Sequence, residues 1–399
     1  LLHGFLGLYM SDPAPGGPPT ELEKTIAQMF EARFTASFAL EDLCEFYAAP
    51  DVDLNHYRVK AAIQRAPIEA TKFMEMLGRF RGGIGPRRGP PIAALDLLAR
   101  KIHALERALA PLRNYAAHYG SGVHGIASLA GSTGGEEPEL EDKAIKVAHL
   151  IAMYVDCAAH QFPEQFRGAL SRATVGDLAT SLPDPGSWPT DVSEFKAENP
   201  IAPIRFDRVT AKNAPLMSEL LKVRNALQVV PAAHACLCRI APGPARTNRL
   251  WAMVQHRKLA CYEQYAALET INFFDLYGRI KAAGLVGEDD SVIRLLRRHE
   301  PAIRDLRLLV AHWEAGRDFV TEVNGGIGHK RLLLVAALVE EWARINGNEY
   351  IERGGLVDVP ELDVMDRRLA LGRIEHEVSQ MRGEARSCAA GAVESGCGR

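Results

Sequence analysis

Apolar residues recur at three- and four-residue steps along nearly the whole chain, and no two segments alternate apolar and polar residues as paired strands do. A chain with this pattern must bury helix faces against helix faces, so the expected fold is all-α. Thr20-Glu21-Leu22-Glu23 spells a T-x-x-E capping box and predicts a helix to about Tyr47. In 54–80, Val59, Ile63, Ile68, Phe73, Met76 and Leu77 fall near helical spacing. "RGGIGPRRGPP" interrupts the pattern, a helix follows over 92–118, and a Gly/Ser-rich loop precedes helix at 140–172 with Pro163 inside it. Residues 180–210 are rich in Pro and read as a long ordered loop or lid. Helical patterns then fill 211–240, 247–283, 291–322, 329–348 and 361–383. Trp251, Tyr262, Tyr265, Phe273, Phe274 and Tyr277 read as core rather than as a substrate cage.

With 399 residues, 47% of them hydrophobic, the chain can bury a sizeable core. The expected organisation is a disordered or non-native N-terminus (1–19), an N-terminal helical part (20–135), a C-terminal helical part (136–383) that would hold a cofactor, and a disordered tail (384–399). A formal net charge of -3 gives no global attraction to nucleic acid or to an anionic membrane. No run spans a bilayer, and the apolar start "LLHGFLGLYM" is short and lacks a basic leader. The seven scattered cysteines fit a reducing compartment, so the expected location is cytoplasmic. Cys236 and Cys238 near His234 lack a second ligand pair at zinc spacing and read as buried thiols.

Several catalytic signatures are missing. There is no H-E-x-x-H, no E-x-x-H pair, no Walker loop and no G-x-S-x-G. "GGIGPRRG" at 82–89 follows a helix rather than a strand and reads as a turn.

The segment "HWEAGRDFVTEVNGGIGHKRLL" holds the sharpest candidate. Ile303, Leu306, Leu309, Val310 and Trp313 mark one buried helix face, and His312 sits beside it. A buried imidazole must find a partner, and a metal satisfies one nitrogen while the other donates to an acceptor. Asn324-Gly325-Gly326-Ile327-Gly328 then allows close backbone approach and positive φ. The helix opening near His329 could meet an anion with its first N–H groups.

A late His on a helix, a glycine-rich loop and a last helix resemble the haem-dependent aromatic dioxygenase superfamily. Its members include tryptophan and indoleamine 2,3-dioxygenases and the ring-rearranging enzyme of pyrrolnitrin biosynthesis. The resemblance covers about residues 290–350, with Asn324 where the family has a small hydroxyl residue. "HQFPEQFRGAL" at 160–170 is similar to the family's aromatic segment ending in Phe-Arg. The resemblance implies a large helical domain of that fold, with haem b held by His312. It implies substrate contacts from Arg167, Gly325, Gly326 and Gly328, with Phe162 and Phe166 against an aromatic ring. The implied activity is oxygenation of an indole- or tyrosine-like amino acid or derivative with O2, by dioxygenation, hydroxylation or ring rearrangement. The implied partners are that small substrate and O2, and the family includes homo-oligomers.

Each residue also has an ordinary reading. His312, His299, His103, His118 and His124 can be unremarkable side chains, and Arg167 can be a surface Arg. The alternatives are a non-catalytic all-helical binding or scaffold protein without cofactor, and a helical enzyme that uses no metal.

Overall fold

The computed structural model describes residues 20–48, 53–85, 90–111, 137–172, 203–240, 249–287, 291–312 and 319–355, with single positions at 113, 201, 314, 317, 376, 379 and 380. Among the described residues the chain is helical and contains no strand, as the sequence pattern requires. The helices are α1 (Glu21–Ala48), α2 (Asp53–Ile84), α3 (Pro90–Ala108), α4 (Glu137–Gln161), α5 (Pro163–Arg172) and α6 (Ala214–Ala226). They continue with α7 (Val229–Arg239), α8 (Arg249–Ala282), α9 (Ser291–Arg297), α10 (Glu300–Ala311), α11 (Phe319–Gly325) and α12 (His329–Glu352). The expected helix at 361–383 lies almost wholly outside the described residues, as do His118, His124 and Trp313.

The local chemistry sets the boundaries. At the start of α1, Glu23 donates its backbone N–H to Thr20 Oγ1 at 3.2 Å, and Thr20 donates its own to Glu23 Oε2 at 2.7 Å. That is the reciprocal cap the sequence predicts. Proline sharpens other boundaries. Pro163 opens α5, where a missing N–H costs nothing. Pro301 falls in the first turn of α10 and splits the expected 291–322 helix, with His299 at the N-cap. The expected 211–240 helix likewise breaks at Leu227 and Gln228, and Pro231 falls in the first turn of α7. Pro67, by contrast, is carried inside α2.

Two hydrophobic cores result. α1 to α5 form the first, around Phe30, Phe73, Phe80, Tyr154 and Phe166. α6 to α12 form the second, which also takes in Phe34 and Phe38 from α1. The cores therefore divide between α5 and α6, so α4 and α5 pack with the N-terminal helices rather than with the C-terminal part expected from residue 136. Phe38 meets Tyr262 edge-on at 5.5 Å, and Arg65 donates to the Cys261 carbonyl at 3.0 Å, which ties the cores together. Among the described residues no helix is long and apolar enough to cross a membrane.

Inside the second core, α8 runs against α6, α7, α10 and α12. Its Tyr262, Tyr265, Phe273, Phe274 and Tyr277 are all buried, and Trp342 of α12 meets Phe273 and Tyr277 edge-on. Asn346, fully buried, accepts the Ile204 N–H at 2.8 Å and donates to the Trp342 carbonyl at 3.0 Å. α6 and α12 come so close that a Cβ on Gly347 would lie 2.5 Å from Leu221 Cδ2. Gly347→Val should therefore cost about 1–3 kcal/mol by overpacking, read as a lower midpoint in urea. Gly278, exposed in mid-α8 with open space where a Cβ would go, should instead gain about 0.5–1 kcal/mol as Gly278→Ala in the same assay.

Candidate functional site

The glycine segment proves to be a helix-to-helix turn. α11 ends at Gly325, and Gly326 donates its N–H to the Glu322 carbonyl at 2.9 Å. Gly328 donates to the Val323 carbonyl at 2.7 Å and turns the chain at φ +76°, a conformation in which a side chain is strained. A Cβ on Gly326 would lie 2.9 Å from the Glu322 carbonyl oxygen, so that position also requires glycine. Ile327 packs into the second core. The first bond of α12 then runs from the Leu332 N–H to the Gly328 carbonyl at 3.1 Å.

The turn delivers His329 into the core as the first residue of α12, only 2% exposed. Its Nδ1 lies 2.6 Å from Oε1 of Glu263, which is fully buried on α8. One α8 turn pair earlier, the His256 ring stands edge-on to the His329 ring with centroids 5.7 Å apart. Three polar atoms here have no partner among the described residues: His329 Nε2, His256 Nε2 and Glu263 Oε2. Buried polar atoms ordinarily find partners, so three in one place mark this as the candidate site.

Electrostatics separates the two imidazoles. Burial opposes charge on His329, but attraction to the Glu263 carboxylate and the hydrogen bond to it outweigh burial and raise its pKa. Burial, and then the neighbouring His329 charge, push His256 down to about 4. His256 is thus neutral at pH 7, while His329 keeps its proton to higher pH than a free imidazole does. The nearby thiol of Cys236 is pushed up to about 12 by burial and donates to the Gln255 carbonyl at 3.0 Å, so it offers no thiolate nucleophile.

The residues singled out in the sequence lie elsewhere. His312 is exposed at the C-cap of α10 with extended backbone, φ -131° and ψ 145°. It lines a cleft of about 70 Å3 together with Glu69, Lys72, Gln264 and Arg317. A benzene-sized guest needs about 150 Å3, and a porphyrin is several such rings. The surroundings of His312 therefore do not fit a haem. Arg167 is exposed on α5, while Phe162 and Phe166 pack on Phe80 at 5.9 and 6.0 Å inside the first core. Neither Arg167 nor Gly325, Gly326 and Gly328 line the His312 cleft. His103 is exposed and His299 caps α10. Among the described residues no three His, Cys, Asp or Glu side chains converge as a metal-binding group.

Comparison of the chain with protein-family models, with curated proteins and with solved structures finds no match. The residues that sequence reasoning missed are Glu263 and His256. They lie seven apart on one face of α8, but nothing in the sequence pairs them with a histidine on another helix.

The two imidazoles should leave opposite marks on stability. His329 keeps its proton to higher pH folded than unfolded, so its contribution is full below the unfolded value near 6.5 and is lost as pH rises through the folded one. His256 refuses a proton when folded, so stability falls as pH drops from 6.5 towards 4, by roughly 3 kcal/mol. Urea unfolding across pH 4–9 should show His256→Phe flattening the acid-side loss and Glu263→Gln flattening the alkaline-side loss. Glu263→Gln should also cost about 3–5 kcal/mol near neutrality, because it breaks a buried pair.

Proposed function

We propose that the protein is an enzyme that moves a proton through the Glu263–His329 pair, with no metal in that step. One observation carries this reading: a buried imidazole whose Nδ1 is held by a carboxylate at 2.6 Å while Nε2 has no partner among the described residues. Glu263 fixes the ring direction and stabilises the imidazolium that forms when Nε2 takes a proton. The raised pKa lets His329 hold a proton to higher pH than a free imidazole does. Neutral His256 adds a second uncharged ring nitrogen for orienting a small polar substrate.

A second proposal keeps the family resemblance. In it the chain is a haem-dependent oxygenase that uses O2 on an aromatic amino acid, with His312 as iron ligand. What supports it is the resemblance of the late His and glycine-rich segment, together with the place of His312 on the wall of a cleft. Bound haem would supply the O2 chemistry, and the residues near the cleft would have to part to admit it.

One experiment separates the readings. Thermal unfolding is followed with a panel of amino acids, indoles and small carboxylic acids, and the visible spectrum is recorded with added hemin. The first reading expects a ligand that stabilises the wild type by about 2.7 kcal/mol at a hundredfold excess over Kd, with the gain absent in His329→Gln. A stabilisation equal in that variant, or none from any compound, overturns it. A Soret band that His312→Ala removes and His329→Gln leaves intact establishes the second reading. With neither signal, the helical scaffold without cofactor stands.

A further inference from the structure

The cleft beside His312 lies between α1, α2, α8, α10 and α11, and each carboxylate on its wall bonds a guanidinium. Glu69 Oε1 accepts from Arg65 Nη2 at 3.0 Å and Nε at 3.3 Å. Glu314 pairs with Arg317 at 3.0 Å, and Glu31 pairs with Arg257. Each carboxylate in the cleft therefore has its own guanidinium. Lys72 has only a long ion pair to the Glu69 that Arg65 already holds: its Nζ lies 3.8 Å from Oε1, beyond hydrogen-bond reach, and its side chain is only 15% exposed.

An amine held this way has what a carbonyl-capturing lysine needs. It is desolvated, it stands beside another cation, and it faces a space. Burial, helped by the Arg65 charge, lowers its pKa against the opposing pull of Glu69 and Glu75. The cleft of about 70 Å3 admits a guest of a few carbons, since benzene takes about 150 Å3.

We propose that Lys72 captures small aldehydes or ketones in this cleft as Schiff bases. The free amine forms a C–N bond to the carbonyl carbon, and the carbonyl oxygen takes up a proton. The carbinolamine then expels that oxygen as water, leaving a C=N bond, and no electrons are exchanged. The carbonyl compound is the only co-reactant. This inference is independent of the His329 centre.

The folded chain is incubated at neutral pH with acetaldehyde and cyanoborohydride, whose hydride reduces the C=N bond to a stable amine. Peptide mapping by mass spectrometry gives the rate at each lysine. Lys72 should react faster than the exposed Lys212 and Lys281, because its lowered pKa leaves more of it as free amine at neutral pH. Arg65→Met should free Glu69 to hold Lys72 and bring its rate down to that of the surface lysines. A Lys72 rate at or below the surface rate in the wild type overturns the proposal. That comparison decides even where Arg65→Met fails to fold.

Discussion

The second core depends on what α8 is made to bury. That helix is enclosed by neighbours on nearly every side, yet it carries His256, Arg257, Glu263, Glu269, Thr270 and Asn272 at 9% exposure or less. Buried polar groups of this kind are costly unless they find partners, and several of these do within the protein. Thr270 turns back to the Ala266 carbonyl at 2.7 Å, and burial raises Glu269 to about 7 while a hydrogen bond from Asn272 holds it lower than burial alone would. Arg257 pairs with Glu31 of α1, and Glu263 takes its partner from α12, which fixes where α12 must begin.

That requirement accounts for the glycines. α12 has to present its first residue, not its middle, to Glu263, so α11 must stop and the chain must reverse within three residues. Positive φ at Gly328 and the close approach of Gly326 to a carbonyl achieve the reversal. The helix N-terminus also places its partial positive charge beside the carboxylate that holds His329.

Much of the fold could be read from the sequence because its causes are local. The capping box at Thr20, the breaks at Pro163 and Gly325–Gly328, and the apolar face of α10 through Ile303, Leu306, Leu309 and Val310 all depend on neighbours in the chain. Tyr262, Tyr265, Phe273, Phe274 and Tyr277 of α8 are core as expected, while the side chain of Trp251 lies outside the described residues. The candidate site was not readable, because its meaning lies in a contact between positions 263 and 329. His329 reads as a helix start, and nothing local in the sequence marks Glu263. His312 carried the stronger local pattern, but α10 ends at Ala311 and leaves that ring at the surface.

The approach of α6 to α12 has a consequence for how this fold can vary. Leu221 fills the space that any side chain at 347 would occupy, so the two positions share one volume and neither can grow alone. Proteins with this architecture should therefore trade bulk between the two sites, a small residue at one accompanying a large one at the other. Such a reciprocal exchange would identify distant relatives even where little else in the sequence persists.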